Sequence, residues 1–272
     1  MPSRTRSFDT PTRIALIGGT GRMGKALVRA APSFSALKIV AAVASASSAA
    51  LGRDVGEVAG IAPLGISVTD ALARALEGAD VALDFSSAGA TARNLEACRK
   101  AKKPLLIGTS GIASELDASL SAAAREIPLL IAANTSIAVT LLIELVRAGA
   151  RTLPPGFDID IVESHHRTKP DAPSGTALAL ARAAREARRA PPQARPLPGG
   201  EGGIGIASVR AGDLVGEHSV LFTGNGEQLV LTHRASDRAI FARGALEAAL
   251  WLAMQPPGRY AMRDVLGVET VT

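Results

Sequence analysis

The chain has 272 residues, enough for one large or two modest domains; 47% are hydrophobic but only 3% aromatic, so a core of Ala, Val, Leu and Ile is expected. No uninterrupted apolar run reaches the roughly 18 residues of a membrane span, and the single cysteine, Cys98, excludes an internal disulfide and suits a reducing, cytoplasmic setting. The net charge of +5 comes with one Trp and one Tyr and with neither an RNP-like motif nor a zinc finger, which favours anionic small molecules over nucleic acid or membrane as partners.

Residues 1–12 carry Arg4 and Arg6 among Ser and Thr and lack the apolar core of a secretory signal, so a frayed tail is expected. Arg13 to Gly18 is a short apolar run, expected as a buried parallel strand. Gly18-Gly19-Thr20-Gly21-Arg22-Met23-Gly24 follows and opens a helix that Pro32 stops. Gly19, Gly21 and Gly24 fit G-x-G-x-x-G, and Gly18, Gly21 and Gly24 fit the related G-x-x-G-x-x-G. Such glycines permit a tight turn, close approach of a pyrophosphate and close helix–strand packing. A structural turn without a ligand is the alternative.

Leu37 to Ala44 reads as a second strand, and Ser45 to Gly65 as mostly loop. Asp70 is expected to cap a short helix ending at Gly78. Strands are expected at Asp80–Phe85, Pro104–Gly108 and Pro128–Ala133, with helices at Ala88–Ala101 and Ser114–Arg125 between them. Alternation of this kind predicts a Rossmann-like, doubly wound parallel sheet in an α/β fold. Ligands bind such sheets at the carboxyl ends of the strands. The glycine turn after Ile17, Gly108-Thr109-Ser110-Gly111 and Asn134-Thr135-Ser136 would line one crevice there.

Ile137 to Arg151 reads as an apolar helix leading into a second domain. Phe157 to Glu163 alternates as a strand, and Glu163-Ser164-His165-His166-Arg167-Thr168-Lys169-Pro170-Asp171-Ala172-Pro173-Ser174-Gly175-Thr176 follows as a loop braced by Pro170 and Pro173. Ser174 is the expected N-cap of a helix from Thr176 to Arg189, with Arg182, Arg185, Arg188 and Arg189 in its C-terminal half. A helix N-terminus at Ser174, Gly175 and Thr176 suits a carboxylate. His165, His166 and Lys169 bring protons and positive charge to the same loop. No HExxH or paired cysteines occur, and adjacent histidines point apart, so no metal is expected. Pro191–Gly203 reads as an exposed connection. Strands are expected at Ile204–Val209, His218–Phe222 and Gln228–His233, the last two joined by an Asn225-Gly226 turn. A helix over Arg238–Met254 and a short mixed stretch, Arg259–Gly267, complete the chain.

The fourteen-residue stretch resembles the signature E-x-H-H-x-x-K-x-D-x-P-S-G-T of the 4-hydroxy-tetrahydrodipicolinate reductases, also called dihydrodipicolinate reductases, at every fixed position. Gly108 to Gly111 and Ala132 to Ser136 resemble the family's G-T-T-G and A-A-N-F-S stretches; Ser110 replaces the second Thr, and Thr135 stands where many members carry Phe. Ser208 to Asp213 and Thr232 to Ser236 also look like family blocks, so the likeness runs from Arg13 to Leu266.

The resemblance implies reduction of 4-hydroxy-tetrahydrodipicolinate to tetrahydrodipicolinate with loss of water, in lysine and diaminopimelate biosynthesis. It implies His165 as general acid/base, Lys169 as proton donor, and His166, Gly175 and Thr176 as substrate contacts, with Arg238 a weaker candidate. Gly18, Gly19, Thr20, Gly21, Arg22, Met23, Ser45, Gly108, Thr109, Ser110, Ala132, Ala133, Asn134 and Thr135 would contact the nicotinamide cofactor. It implies a discontinuous dinucleotide domain, residues 1–136 and 240–272. Residues 137–239 would form an α+β substrate-binding and tetramerisation domain with an open, mainly antiparallel sheet. The rivals are another dehydrogenase on the same first domain and a non-catalytic cofactor-binding regulator. The second strand ends Val43-Ala44-Ser45-Ala46-Ser47-Ser48 without the acid that usually holds the ribose of NADH. Use of both NADH and NADPH, leaning to NADPH, is therefore expected.

Overall fold

The computed structural model describes residues 10–188 and 203–267. The expected N-terminal tail up to Asp9, Arg189, and all but Gly203 of the 191–203 connection lie outside the described residues. The chain divides into two compact units, residues 1–135 with 241–272, and residues 136–240.

The first unit is built on short apolar strands: β1 (Thr12–Ile17), β2 (Leu37–Val43), β3 (Val68–Thr69), β4 (Val81–Asp84), β5 (Leu105–Ile107), β6 (Pro128–Ile131) and β11 (Gly258–Tyr260). All pair in parallel, in the order β11-β6-β5-β4-β1-β2-β3. The central strands are buried on both faces. Ile14 to Ile17, Val81 to Asp84 and Leu105 to Ile107 are almost wholly inaccessible, the condition under which a parallel strand reads as a continuous apolar run. The connecting helices are α1 (Arg22–Ala30), α2 (Val55–Ala59), α3 (Leu72–Glu77), α4 (Ala88–Lys100) and α5 (Asp117–Ala124), with α8 (Ala239–Leu252) and α9 (Met262–Val265) near the C-terminus. Cys98 is buried among the aliphatic residues of this core. Burial, then the nearby Asp84 charge, pushes its thiol up to about 12.

Several local expectations are corrected. Asp70 does not cap the helix after it; Ala71 holds the N-cap position without a side-chain bond, and the Asp70 carbonyl instead accepts from Leu72 N–H at 3.0 Å. The stretch expected as loop from Ser45 to Gly65 contains α2. Asp54 caps it and gathers four N–H groups, those of Gly56, Glu57, Leu64 and Ile66, at 2.7–3.3 Å. The Ser114–Arg125 helix begins as a 3-10 turn at Ser114–Leu116 before α5.

The second unit is a four-stranded sheet under α6 (Ile137–Thr152) and α7 (Gly175–Ala187). Its strands are β7 (Asp158–His165), β8 (Gly205–Arg210), β9 (Gly216–Gly224) and β10 (Glu227–Ala235), in the order β10-β9-β7-β8. The sheet is mixed. β10–β9 and β9–β7 are antiparallel, joined in the first case by the two-residue Asn225-Gly226 turn, whereas β8 runs parallel to β7. β8 and β9 are therefore not neighbours, because β7 is inserted between them. Alternation sets the faces. Ile159, Ile161, Val220, Phe222 and Ile206 turn inward to Leu142, Val146, Leu180 and Ala184 of the two helices.

Candidate active site and cofactor cradle

β7 carries the start of the signature. The strand runs two residues beyond the expected Glu163, so His165 is its last residue rather than a loop residue. Period-two alternation then puts Glu163 and His165 on the face that Ile159 and Ile161 occupy lower down. Ser164 turns the other way. Both Glu163 and His165 are buried, as are His218 on β9 and Ser174 at the start of α7. His166 leaves the strand, is half-buried, and pairs its Nδ1 with the Thr168 hydroxyl at 2.8 Å.

Ser174 caps α7 as the sequence suggested, its Oγ accepting from Ala177 N–H at 3.2 Å. The same oxygen lies 3.0 Å from His218 Nε2. A Cβ at Gly175 would meet nothing within 4 Å, so the first helical residue is open to an incoming group. The Ala172–Pro173 peptide before the cap is cis. Lys169 turns its ammonium to Asp171 at 2.9 Å, which holds the Asp171 carboxyl below its ordinary range.

Glu163 is the electrostatic centre of this cluster. One oxygen contacts His165 Nδ1, and the other accepts from Arg210 Nη2 at 2.7 Å. Burial pushes its carboxyl up, but Arg210, Ser208 and His165 more than offset this and bring it down to about 2. It is an anion at neutral pH. Burial lowers His165, opposed by Glu163 and assisted by the cations Lys169 and Arg210. Burial, then the proximity of His165, brings His218 down to about 4. The two rings meet edge to face with centroids 5.1 Å apart. Glu163, His165 and His218 offer three ligand atoms within 4.8 Å of one another, as a metal site would. The Arg210 guanidinium already supplies positive charge to that carboxylate, and the donor set fits an ion pair better than a metal.

In the first unit, the turn after β1 lies where the strand order reverses, between β4 and β2, the usual ligand position in such sheets. Gly18 has φ +84°, and a Cβ there would lie 2.5 Å from the Phe85 carbonyl oxygen. Gly18 and Gly19 donate to the Val43 carbonyl at 2.8 and 3.1 Å, and Gly21 donates to Gly18 at 3.0 Å. A Cβ on Gly24 would fall 2.3 Å from the Gly18 oxygen, so only glycine lets α1 start this close to the strand. Gly21 is the N-cap and offers no side chain to the N–H groups of Arg22, Met23 and Gly24. A cradle without side chains at a helix N-terminus fits a dinucleotide pyrophosphate.

The other expected cofactor residues lie at neighbouring strand ends. Gly108 N–H and the Thr109 hydroxyl both donate to the Asp84 carbonyl, at 2.9 and 3.2 Å, and Ser110 is exposed. The Phe85 ring fills the place a Gly108 side chain would take. Ala132 donates to Ile107 at 2.9 Å, continuing the line beyond β6 into Ala133 and Asn134. Thr135 is buried, and its hydroxyl donates to the Phe241 carbonyl at 2.6 Å. Its side chain thus has a structural partner. Ser45 is exposed after β2, its hydroxyl 3.1 Å from that of Ser47. Thr20 is half-buried in the turn.

The sequence reading passed over Arg210, His218 and Gly216, and gave Glu163 no role of its own. The available signal was alternation: Glu163 shares a strand face with His165, and a buried acid two residues from a histidine asks for a partner.

Models of the family described as dihydrodipicolinate reductase match the chain twice, the N-terminal one over residues 12–135 and the C-terminal one over residues 138–266. A 4-hydroxy-tetrahydrodipicolinate reductase of Anaeromyxobacter dehalogenans is 46% identical over 270 residues, 95% of this chain and 98% of that protein. One of Alkalilimnicola ehrlichii is 46% identical over 265 residues, 94% and 99% of the two chains. Among solved structures, dipicolinate-bound dihydrodipicolinate reductase from Paenisporosarcina sp. TG-14 is similar with a TM-score of 0.78 and 25% identity, covering 93% of this chain and 98% of that one. An amine dehydrogenase from Mycobacterium smegmatis shares the fold, with a TM-score of 0.61 and 15% identity over 94% and 96%.

Proposed function

The chain belongs to the dihydrodipicolinate reductase family, and we propose that it reduces 4-hydroxy-tetrahydrodipicolinate to tetrahydrodipicolinate in the lysine and diaminopimelate pathway. The balance is one hydride and one proton in, one water out. A bound nicotinamide supplies the hydride. Gly18 to Met23 hold the pyrophosphate by backbone N–H groups, and the ends of β5 and β6 flank the rest of the cofactor. His165 is the general acid/base and Lys169 the proton donor. His166 and the N–H groups of Gly175 and Thr176 hold substrate carboxylates, with the α7 dipole favouring the anion.

The observation that carries this reading is the convergence of signature residues in one unit. An imidazole buried on a carboxylate, a lysine four residues on and an open, serine-capped helix N-terminus form one cluster. A proton-transfer site and a carboxylate site are thus neighbours along the chain. NADPH and NADH both serve, NADPH better, because no acid follows β2. The protein works in the cytoplasm as a homotetramer, the second unit supplying both the substrate site and the subunit contacts.

The test is NADPH oxidation followed with 4-hydroxy-tetrahydrodipicolinate present and absent. Substrate-dependent oxidation is expected. His165→Gln and Lys169→Ala should each lower kcat by about 10²–10⁴-fold, the usual contribution of a proton-transfer group. Wild-type turnover in both would remove them from the chemistry.

A further inference from the structure

A line of contacts connects the two proton-carrying residues, from the buried Glu163 and His165 out to the exposed Asp171 and the half-buried Lys169. Glu163, wholly buried, meets His165 Nδ1 with one oxygen and takes 2.7 Å from Arg210 Nη2 with the other. That same Nη2 donates to the Asp171 carbonyl at 2.6 Å. The Asp171 carboxylate holds Lys169 Nζ at 2.9 Å. Arg210 lies on β8 directly opposite His165 in the parallel register, and its guanidinium ties the start of the signature at Glu163 to its middle at Asp171.

Chemistry fixes the direction of each contact. An ionised carboxylate only accepts, and a guanidinium only donates. Glu163 is ionised because Arg210 and its other donors outweigh burial. His165 must therefore present a proton at Nδ1. In a neutral imidazole the other nitrogen then carries the lone pair. Nε2 stands over Gly216, where an added Cβ would lie 2.9 Å away, and makes no hydrogen bond among the described residues. It is the nitrogen left for a reacting group.

We propose that Glu163 and Arg210 are positioning residues of the reductase reaction: they hold His165 in its Nδ1–H tautomer, so that Nε2 exchanges the proton, and through Asp171 they tie the Lys169 loop to the same frame. The proposal rests on the reading of His165 and Lys169 as the acid–base pair. Its logic is that of any base oriented by a third group, where loss of the orienting anion leaves the ring in place but in the wrong tautomer.

The experiment combines imidazole ¹⁵N spectra of histidine-labelled protein with steady-state kinetics. The chain has four histidines, so single substitutions assign every signal. In the wild type His165 should be Nδ1–H; a wild type with the proton on Nε2 overturns the proposal outright. Glu163→Gln, whose amide can donate as well as accept, should shift His165 toward Nε2–H. It should lower kcat by about 10- to 1,000-fold, less than the roughly 10²–10⁴-fold full contribution of one acid–base group because the ring itself remains, while KM for NADPH stays unchanged.

Gln at this buried position leaves Arg210 uncompensated. The double variant Glu163→Met with Arg210→Met removes both charges together and is the folded alternative, checked by circular dichroism. A folded variant of either kind with wild-type kcat, or with His165 still Nδ1–H, overturns the proposal. A purely structural Glu163 would lower the melting temperature and leave tautomer and kcat alone, which also overturns it. His165→Gln separates the two readings: if it retains full activity the acid–base assignment falls, whereas the ¹⁵N result judges the tautomer on its own.

Discussion

His218 is a neutral ring wedged between His165 and the cap of α7, and its burial has a consequence for stability. It is held at about 4 against an ordinary 6.5. Between those values the unfolded chain binds a proton that the folded protein does not. Stability present above pH 6.5 is therefore lost as pH falls toward 4, by roughly 3 kcal/mol from this group. His233, opposite it in the β9–β10 register and lowered by burial, acts in the same direction. Glu163, held at about 2 against 4.5, extends the loss below pH 4.5. Melting temperature measured from pH 7 to 4 should fall steeply in the wild type and less in His218→Asn; parallel curves would show that the folded protein accepts the proton without cost. Gly216 is the second residue with a defined consequence. A methyl group there would come within 2.9 Å of His165 Nε2 and 3.2 Å of its Cδ2, with no backbone strain, since its φ is not positive. The ring is fastened at Nδ1 and cannot swing away freely. Gly216→Ala should lower kcat by about tenfold or more and also lower the melting temperature, since the methyl overpacks a buried ring, as kinetics and a thermal scan on the same preparation would show.

On the proposed reading, cofactor choice is set at the carboxyl end of β2. Ala44 is 9% exposed and donates its N–H to Thr69 at 2.9 Å, while Ser45, Ala46 and Ser47 emerge into solvent. A carboxylate introduced by Ala44→Glu would reach the ribose hydroxyls and repel a 2′-phosphate. The kcat/KM ratio should move toward NADH by about 1–3 kcal/mol of discrimination; an unchanged ratio would place the choice elsewhere. Elements differed in how far the sequence revealed them, for physical reasons. The strands with apolar runs, β1, β2, β4, β5 and β6, were legible because strands in the middle of a parallel sheet are built from such residues. β3 and β11 were not: Val68-Thr69 and Gly258-Arg259-Tyr260 carry no apolar run, and only pairing with β2 and β6 makes them strands. α2 was hidden in a glycine-rich stretch because its formation depends on Asp54 collecting N–H groups as far away as Leu64 and Ile66. The place of β8 beside β7 is a long-range register that turn signals do not encode. Within the site, the signature and the Ser174 cap were local and readable. Arg210, 47 residues from Glu163, was recognisable only as part of a family-like block.

On the scale of the whole molecule, the mixed sheet of the second unit has one face under α6 and α7 and leaves Val162, Val209 and Val230 exposed on the other. Among the described residues β10 is an edge strand, and edge strands and uncovered apolar sheet faces invite pairing between chains. Light scattering at micromolar concentration should give four times the 27.8 kDa chain mass; a monomer would contradict the proposed tetramer.

The bond from the Thr135 hydroxyl to the Phe241 carbonyl, 2.6 Å long, joins the two points at which the chain leaves the first unit and re-enters it. The dinucleotide fold is thereby closed upon itself at the base of an excursion running from 136 to 240. Topologically the second unit is a cassette inserted into a fold that is already complete, and a linker of a few residues spans the gap left by its excision. A chain in which a short Gly-Ser segment replaces residues 136–240 should fold, report NADPH through Trp251 fluorescence, and reduce nothing. Aggregation of that miniature would mean that the host no longer folds without its guest.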